Sequence, residues 1–200
     1  MYPTAFKDPR GGHNRSHINQ KFFQSWSSSM AYVLGFIFAD GAIEDVQKSS
    51  RTCYIAMSSI DISILQQIRQ RMNSNHKFYI RKSHLVTYLD GKSYITKNSF
   101  IYRIGSKSMY NDLLDLGVTP RKSLSVLFPK VPFEYLRFFL RGYFDGDGCL
   151  HLKEGKYPRV IFTSGSNKFV EGLARVLSKI LQIPTISAYS QVEDSGNLCY

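Results

Sequence analysis

Acid is scarce in this sequence. Fifteen Asp and Glu stand against 26 Lys and Arg in 200 residues, a formal charge of +11 at pH 7 and a pI near 9.6. A surplus of that size points to a polyanionic partner, nucleic acid ahead of an anionic membrane surface. Cysteine is scarce too: Cys53, Cys149 and Cys199 are odd in number and far apart, with no CxxC pair. That argues against a zinc site or a disulfide framework and for reduced thiols inside a cell. No apolar run approaches the ~20 residues that cross a bilayer, and the opening "MYPTAFKDPRGG" lacks the apolar stretch of a signal peptide. The expectation is a soluble intracellular protein, in cytoplasm, nucleoid or organelle matrix, with no membrane partner.

Apolar residues, by contrast, are plentiful. Hydrophobic content of 43% and aromatic content of 14% suffice for a folded core, so disorder is excluded as a description of the chain. Residues 1–25 are polar and basic and read as an extended arm. "SWSSSMAYVLGFIFADGAI" then offers serine N-caps and a nearly all-apolar helix over 28–39, stopped by Asp40-Gly41. A helix apolar on most faces must be buried on most faces. Ala42–Lys48 and Arg51–Ser59 read as a hairpin, and "DISILQQIRQRMNS" as an amphipathic helix capped by Asp61, with Ile62, Leu65, Ile68 and Met72 on one side. "HKFYIRKS" and "SFIYRIGS" read as two strands joined by a long polar loop. "SMYNDLLDLGV" is a short helix ending at Gly117, and "TPRKSLSVLFPKVP", with three prolines, a linker.

The same order then begins again. "PFEYLRFFLRGYFDGDGCL" is a second apolar helix ending in Asp-Gly, "RVIFTS" a strand, "NKFVEGLARVLSKIL" an amphipathic helix, "TISAYS" a strand and "GNLCY" the start of another. The two Asp-Gly ends, 40–41 and 147–148, lie 107 residues apart. The expected organisation is an arm (1–25), a first repeat (26–118), a linker (119–133) and a second, incomplete repeat (134–200) that ends where Phe100–Tyr102 stand in the first.

The segments "VLGFIFADG" (33–41) and "LRGYFDGDG" (140–148) resemble the LAGLIDADG motif of homing endonucleases, in the two-motif, single-chain form of that family. The resemblance implies an α+β fold: two pseudo-symmetric αββαββα repeats packed through their motif helices, with antiparallel sheets forming a saddle. Gly35 and Gly142 would let the helix backbones approach closely. Asp40 and Asp147 would then project side by side. Two carboxylates that close repel unless a cation lies between them, and oxygen ligands with a phosphate substrate favour Mg²⁺, with Mn²⁺ as a substitute. The resemblance further implies backbone help from Ala39 and Gly146 in holding metal, a basic residue after the repeat's last helix (Lys122, or Arg121) and polar strand ends at Ser59 and Ser164. Asp145 is read as a local cap and kept off the catalytic list.

Strand alternation assigns an outward face. With Phe78, Ile80, Phe100, Tyr102 and Ile104 inward, Lys77, Tyr79, Arg81 and Arg103 point out. Glu44, Val46 and Lys48 join them in the first repeat, and His151, Lys153, Arg159, Thr163, Ser187 and Tyr189 in the second. The resemblance makes this the surface that meets DNA. "GGHNRSHIN", with His13 and His17 four apart, has no third ligand or helix pattern and reads as a basic arm near phosphate, not a metal site. The expectation is a monomeric, site-specific endonuclease for double-stranded DNA with a long target. The alternative is a non-cleaving nucleic-acid binder, such as an RNA maturase or a decayed relative.

Overall fold

The computed structural model describes residues 16–44, 53–87, 91, 93–152, 157–184, 186–192 and 198–200. Its elements run α1 (Ser28–Asp40), β1 (Gly41–Ile43), β2 (Tyr54–Ser59), α2 (Ile62–Arg71), β3 (Phe78–Arg81), β4 (Leu85–Thr87), β5 (Ser93–Ile95), β6 (Ser99–Gly105) and α3 (Lys107–Asp115). A 3₁₀ turn (Lys122–Leu124) then leads into α4 (Phe133–Asp147), β7 (Gly148–His151), β8 (Arg159–Phe162), α5 (Asn167–Leu181), β9 (Gln191–Val192) and β10 (Leu198–Cys199). The fold is α+β with antiparallel sheets.

Each helix start has a local cause. Ser27, Asp61, Ser106 and Ser166 are N-caps whose side chains accept a backbone N–H from the first turns of α1, α2, α3 and α5. In the first repeat four strands pair antiparallel in the order β1-β2-β6-β3. The second repeats the plan: β7 pairs with β8, β9 with β10, and Ser164 and Tyr200 exchange backbone hydrogen bonds of 3.0 and 2.9 Å. Ser59 and Phe100 are the corresponding partners in the first repeat.

The core forms around α1. Residues 30–38 of that helix are all buried, and α4 makes its most extensive contact. Phe38, Phe139, Phe169 and Tyr143 join in a chain of ring contacts that ties α5 to the helix pair, with Tyr143 and Phe169 stacked at 4.6 Å.

The helices approach closely because both carry glycine at the crossing. A Cβ on Gly35 would lie 2.9 Å from the amide nitrogen of Tyr143 and overlap the Phe139 carbonyl. One on Gly142 would lie 2.8 Å from the Tyr32 carbonyl carbon and overlap its oxygen. The contacts 32 against 142 and 35 against 139 are equivalent under the 107-residue repeat, and further along both helices 39 meets 146, so the helices are parallel and related by a pseudo-two-fold axis. Ala39 and Gly146 sit opposite each other on that axis, at equivalent repeat positions.

Several expectations from sequence are corrected. Part of the supposed arm is core: Ile18, Phe22 and Phe23 are buried because three apolar side chains within six residues can close the side of the first repeat. The long polar loop between β3 and β6 contains a further antiparallel ribbon, β4–β5. "TISAYS" has no regular strand over 186–190; β9 lies just beyond it. Ile80 points along the inward side but is 66% exposed, because β3 extends past the core there. The strand expected over 42–48 is described only as β1, the remainder lying outside the described residues.

Gly35→Ala and Gly142→Ala meet backbone rather than a movable side-chain tip, so the helices must separate. Each substitution is expected to cost about 3 kcal/mol of stability, read as a lowered denaturation midpoint at unchanged m-value.

Candidate active site

Both helices of the central pair turn straight into a strand. Gly41 and Gly148 take extended conformations with φ −97° and close the last turns by donating to Ile37 and Phe144. Asp40 and Asp147 are therefore the terminal residues of two helices that end together. A Cβ on Gly146 would stand 3.5 Å from Asp40 Oδ2, which places the first carboxylate against the backbone of the second motif.

The electrostatics of this corner are unfavourable in the absence of a cation. Like charges within several ångströms repel by a few kcal/mol at an effective dielectric of ~20, more than the few tenths to about 1 kcal/mol that a helix C-terminus adds. Burial, then the neighbouring Asp40 charge, push the Asp147 carboxyl up to about 6, with Lys122 opposing. Asp40 is open to solvent on one side, but shielding on the other raises its carboxyl above the usual range, and Lys122 again opposes.

Lys122 is the one buried lysine among the described residues, and the linker delivers it. Arg121 adopts a left-handed conformation (φ 58°) that turns the chain into the 3₁₀ turn. Lys122 Nζ then donates to the carbonyls of Phe38 (2.6 Å) and Ala39 (2.9 Å), the free end of α1. Burial pushes its ammonium down to about 8, while Asp147 and Asp40 hold it up. Of the two basic residues weighed from sequence, the structure brings Lys122 to the carboxylates. The Ala39 carbonyl, expected from sequence to help hold metal, accepts this ammonium.

Ser59 ends β2 and Ser164 follows β8, each leading into a helix cap. Their hydroxyls accept the backbone N–H of Asp61 (3.1 Å) and Ser166 (3.1 Å), the N-caps of α2 and α5. A serine two residues before an N-cap is taken up by the turn into the helix. Thr163 is not aimed at the outer face: its hydroxyl and N–H donate to the Asp147 carbonyl at 2.9 and 3.2 Å, bracing the end of α4. Tyr143 OH in turn donates to the Thr163 carbonyl at 2.7 Å. Asp145 is no local cap. It accepts a hydrogen bond from Tyr32 OH at 2.7 Å across the helix pair, where the pseudo-symmetric positions hold the Phe38–Phe139 ring contact. The Tyr32 contact was missed from sequence because it spans 113 residues, and the Thr163 brace because it depends on how β8 folds back onto the end of α4.

The outward face of the first sheet carries Tyr79, Arg81 and Arg103, all exposed, with Lys77 exposed just before β3. Arg103 pairs with Glu44 and lies 3.7 Å above the ring of Tyr54, which parity on β2 could have added to the set. His151 and Arg159 face one another across β7 and β8, both exposed. Ser187 and Tyr189 are exposed but lie on irregular chain, not a strand. Lys48, Lys153, Val46 and His13 lie outside the described residues.

The donor set at the helix ends is two carboxylates and backbone oxygens, which suits a hard divalent cation that keeps much of its water shell. The raised, mutually repelling carboxyls are the feature such an ion would relieve. Among the described residues no group of three His, Cys, Asp or Glu gathers into a metal cage, and no helix is long and apolar enough to cross a membrane.

Comparison with known proteins follows the same lines. The fold is similar to that of the homing endonuclease I-WcaI bound to its DNA recognition sequence, at a TM-score of 0.50 and 13% identity over 90% of this chain and 79% of that one. It is similar also to mesophilic variants of the homing endonuclease I-DmoI, at 0.51 and 14% over 90% and 88%. In sequence, an alignment of 175 positions that covers 82% of this chain is 23% identical to part of a probable translation initiation factor IF-2 of Methanocaldococcus jannaschii, of which it spans 13%. Residues 134–197, which hold α4 and Asp147, match the LAGLIDADG-like domain. Residues 134–197 thus match a LAGLIDADG-like domain, and the fold of the chain is similar to those of these homing endonucleases.

Proposed function

We propose that the protein is a site-specific endonuclease of the homing type that hydrolyses one phosphodiester on each strand of double-stranded DNA. The observation that carries this reading is the Asp40–Asp147 pair at the joined ends of α1 and α4, beside the buried Lys122. The basic, aromatic outer face of the first sheet is the surface offered to a long DNA target, and I-WcaI is bound to its own recognition sequence in the same fold. Because one chain supplies both carboxylates, a monomer suffices.

Asp40 and Asp147 would hold a divalent cation, Mg²⁺ or Mn²⁺, with the Gly146 carbonyl as a further oxygen. When bound, such an ion supplies an activated water and charge stabilisation for the leaving oxygen. The chain's own contributions are separable from that. Each carboxylate serves one strand. The Lys122 ammonium fixes the end of α1 and tempers the negative charge, and Thr163 fixes the end of α4. Gly35 and Gly142 set how closely the two carboxylates approach.

The direct test is cleavage of a randomised duplex library with Mg²⁺ or Mn²⁺. Wild type is expected to cut one selected sequence, and Asp40→Asn or Asp147→Asn to nick it or lose activity by at least ~10³-fold with binding retained. Binding without cutting by the wild type would support the non-cleaving alternative. Lys122→Met should lower the cleavage rate by ~10²-fold and change DNA affinity less than about threefold, because the buried ammonium is not on the outer face; mobility-shift and rate measurements separate the two. Stability should report the pair directly. An Asp whose folded pKa is raised contributes stability that is present below its unfolded value of 3.8 and lost as pH rises through about 6. Without divalent metal, Asp147→Asn should therefore gain about 1 kcal/mol over wild type above that window, after solvent screening, and nothing below it. Denaturant midpoints across pH measure the difference.

A further inference from the structure

The ribbon inserted between β3 and β6 is a separate two-stranded sheet, β4–β5, that keeps the register of the sheet from which it springs. Arg81 pairs with Ser99, and Leu85 with Ile95. Three residues intervene on each strand, 82–84 and 96–98, and the Thr96 N–H donates to the His84 carbonyl at 3.0 Å between them. Equal spacing preserves the alternation, so Leu85 and Ile95 share the face of Tyr79, Arg81 and Arg103. The Thr87 and Ser93 hydroxyls, one pair further out, meet at 2.8 Å on that side.

Leu85 and Ile95 are 65% and 76% exposed. A cross-strand apolar pair left in water on a thin ribbon adds nothing to the core, so its chemistry is directed outward. Its neighbours on the same face, Arg81, Lys97 and Arg103, are basic and exposed, which favours a polyanion over an apolar protein surface. A two-stranded ribbon fits the major groove of B-DNA, and there only thymine presents an apolar group, its 5-methyl.

We propose that the Leu85–Ile95 pair reads thymine methyl groups in the outer part of the half-site contacted by the first repeat. This rests on the DNA-binding reading above and adds to it a base class and two residues. The flanking Arg81 and Lys97 anchor the ribbon on phosphate or guanine while the apolar pair selects thymine.

The test starts with duplexes selected by the full chain from a random library in the absence of divalent metal. Each thymine of the selected duplex is then replaced by deoxyuridine, which removes only the methyl. Wild type should lose about fourfold in affinity per contacted methyl, at one or two positions within one half-site. The Leu85→Ser/Ile95→Ser double variant should bind the thymine duplex more weakly by the same factor and be indifferent to deoxyuridine. Its thermal midpoint should match wild type, since both side chains are exposed. Uniform indifference of wild type to deoxyuridine overturns the inference, as does a double variant that keeps wild-type affinity, which would assign the pair to another partner such as a protein. Enrichment of no duplex at all would instead overturn the DNA reading on which it rests.

Discussion

The close approach of α1 and α4 is the constraint on which the rest of this molecule depends. Gly35 lies against the Phe139 carbonyl and Gly142 against that of Tyr32, so any side chain at either position would push the helices apart. Because the pair is parallel and nearly symmetric, both helices finish at the same level, and two terminal aspartates are forced into one corner. The sheets hang from the same pair: β1 follows α1 and β7 follows α4 with no intervening loop. The spacing of the carboxylates and the placement of the two outer faces are thus consequences of one packing contact.

That corner is held in a charged conflict. The carboxyls are raised by burial and, at Asp147, by one another, while Lys122 is lowered by burial and held up by both. Raised carboxyls beside a lowered ammonium are the arrangement that the proposed chemistry would use. The two ends are supported differently. The end of α1 is capped by an ammonium through Phe38 and Ala39, and the end of α4 by a threonine through Asp147. Away from the corner the symmetry is broken again, by a Tyr32–Asp145 hydrogen bond on one side and an aromatic contact on the other.

Much of this was legible in the chain before folding. The two apolar helices, their glycines and the terminal aspartates are local patterns, written in residues close to one another, and their recurrence 107 residues on is read by comparing them. The outward parity of Tyr79, Arg81 and Arg103 follows from alternation alone. What was misread was misread for a common reason. The helix-cap contacts of Ser59 and Ser164 were not foreseen, since each depends on the turn two residues on. Thr163 has the right parity for the outer face but lies within reach of a free helix carbonyl. Residues 18–23 read as a polar arm because three apolar side chains among basic ones show no period.

Sequence alone determined the inventory: basic charge, two motif helices with glycine and aspartate in fixed places, and alternating strands. These depend on side-chain type and spacing within single elements, which tertiary structure does not alter. Tertiary structure decided which polar groups meet. It turned Lys122 rather than Arg121 inward, set Tyr32 on Asp145 across 113 residues, and placed beyond β3 and β6 a separate ribbon with an exposed apolar pair. Such contacts join positions far apart in the chain, and a hydrogen bond is decided by the distance between its partners in space.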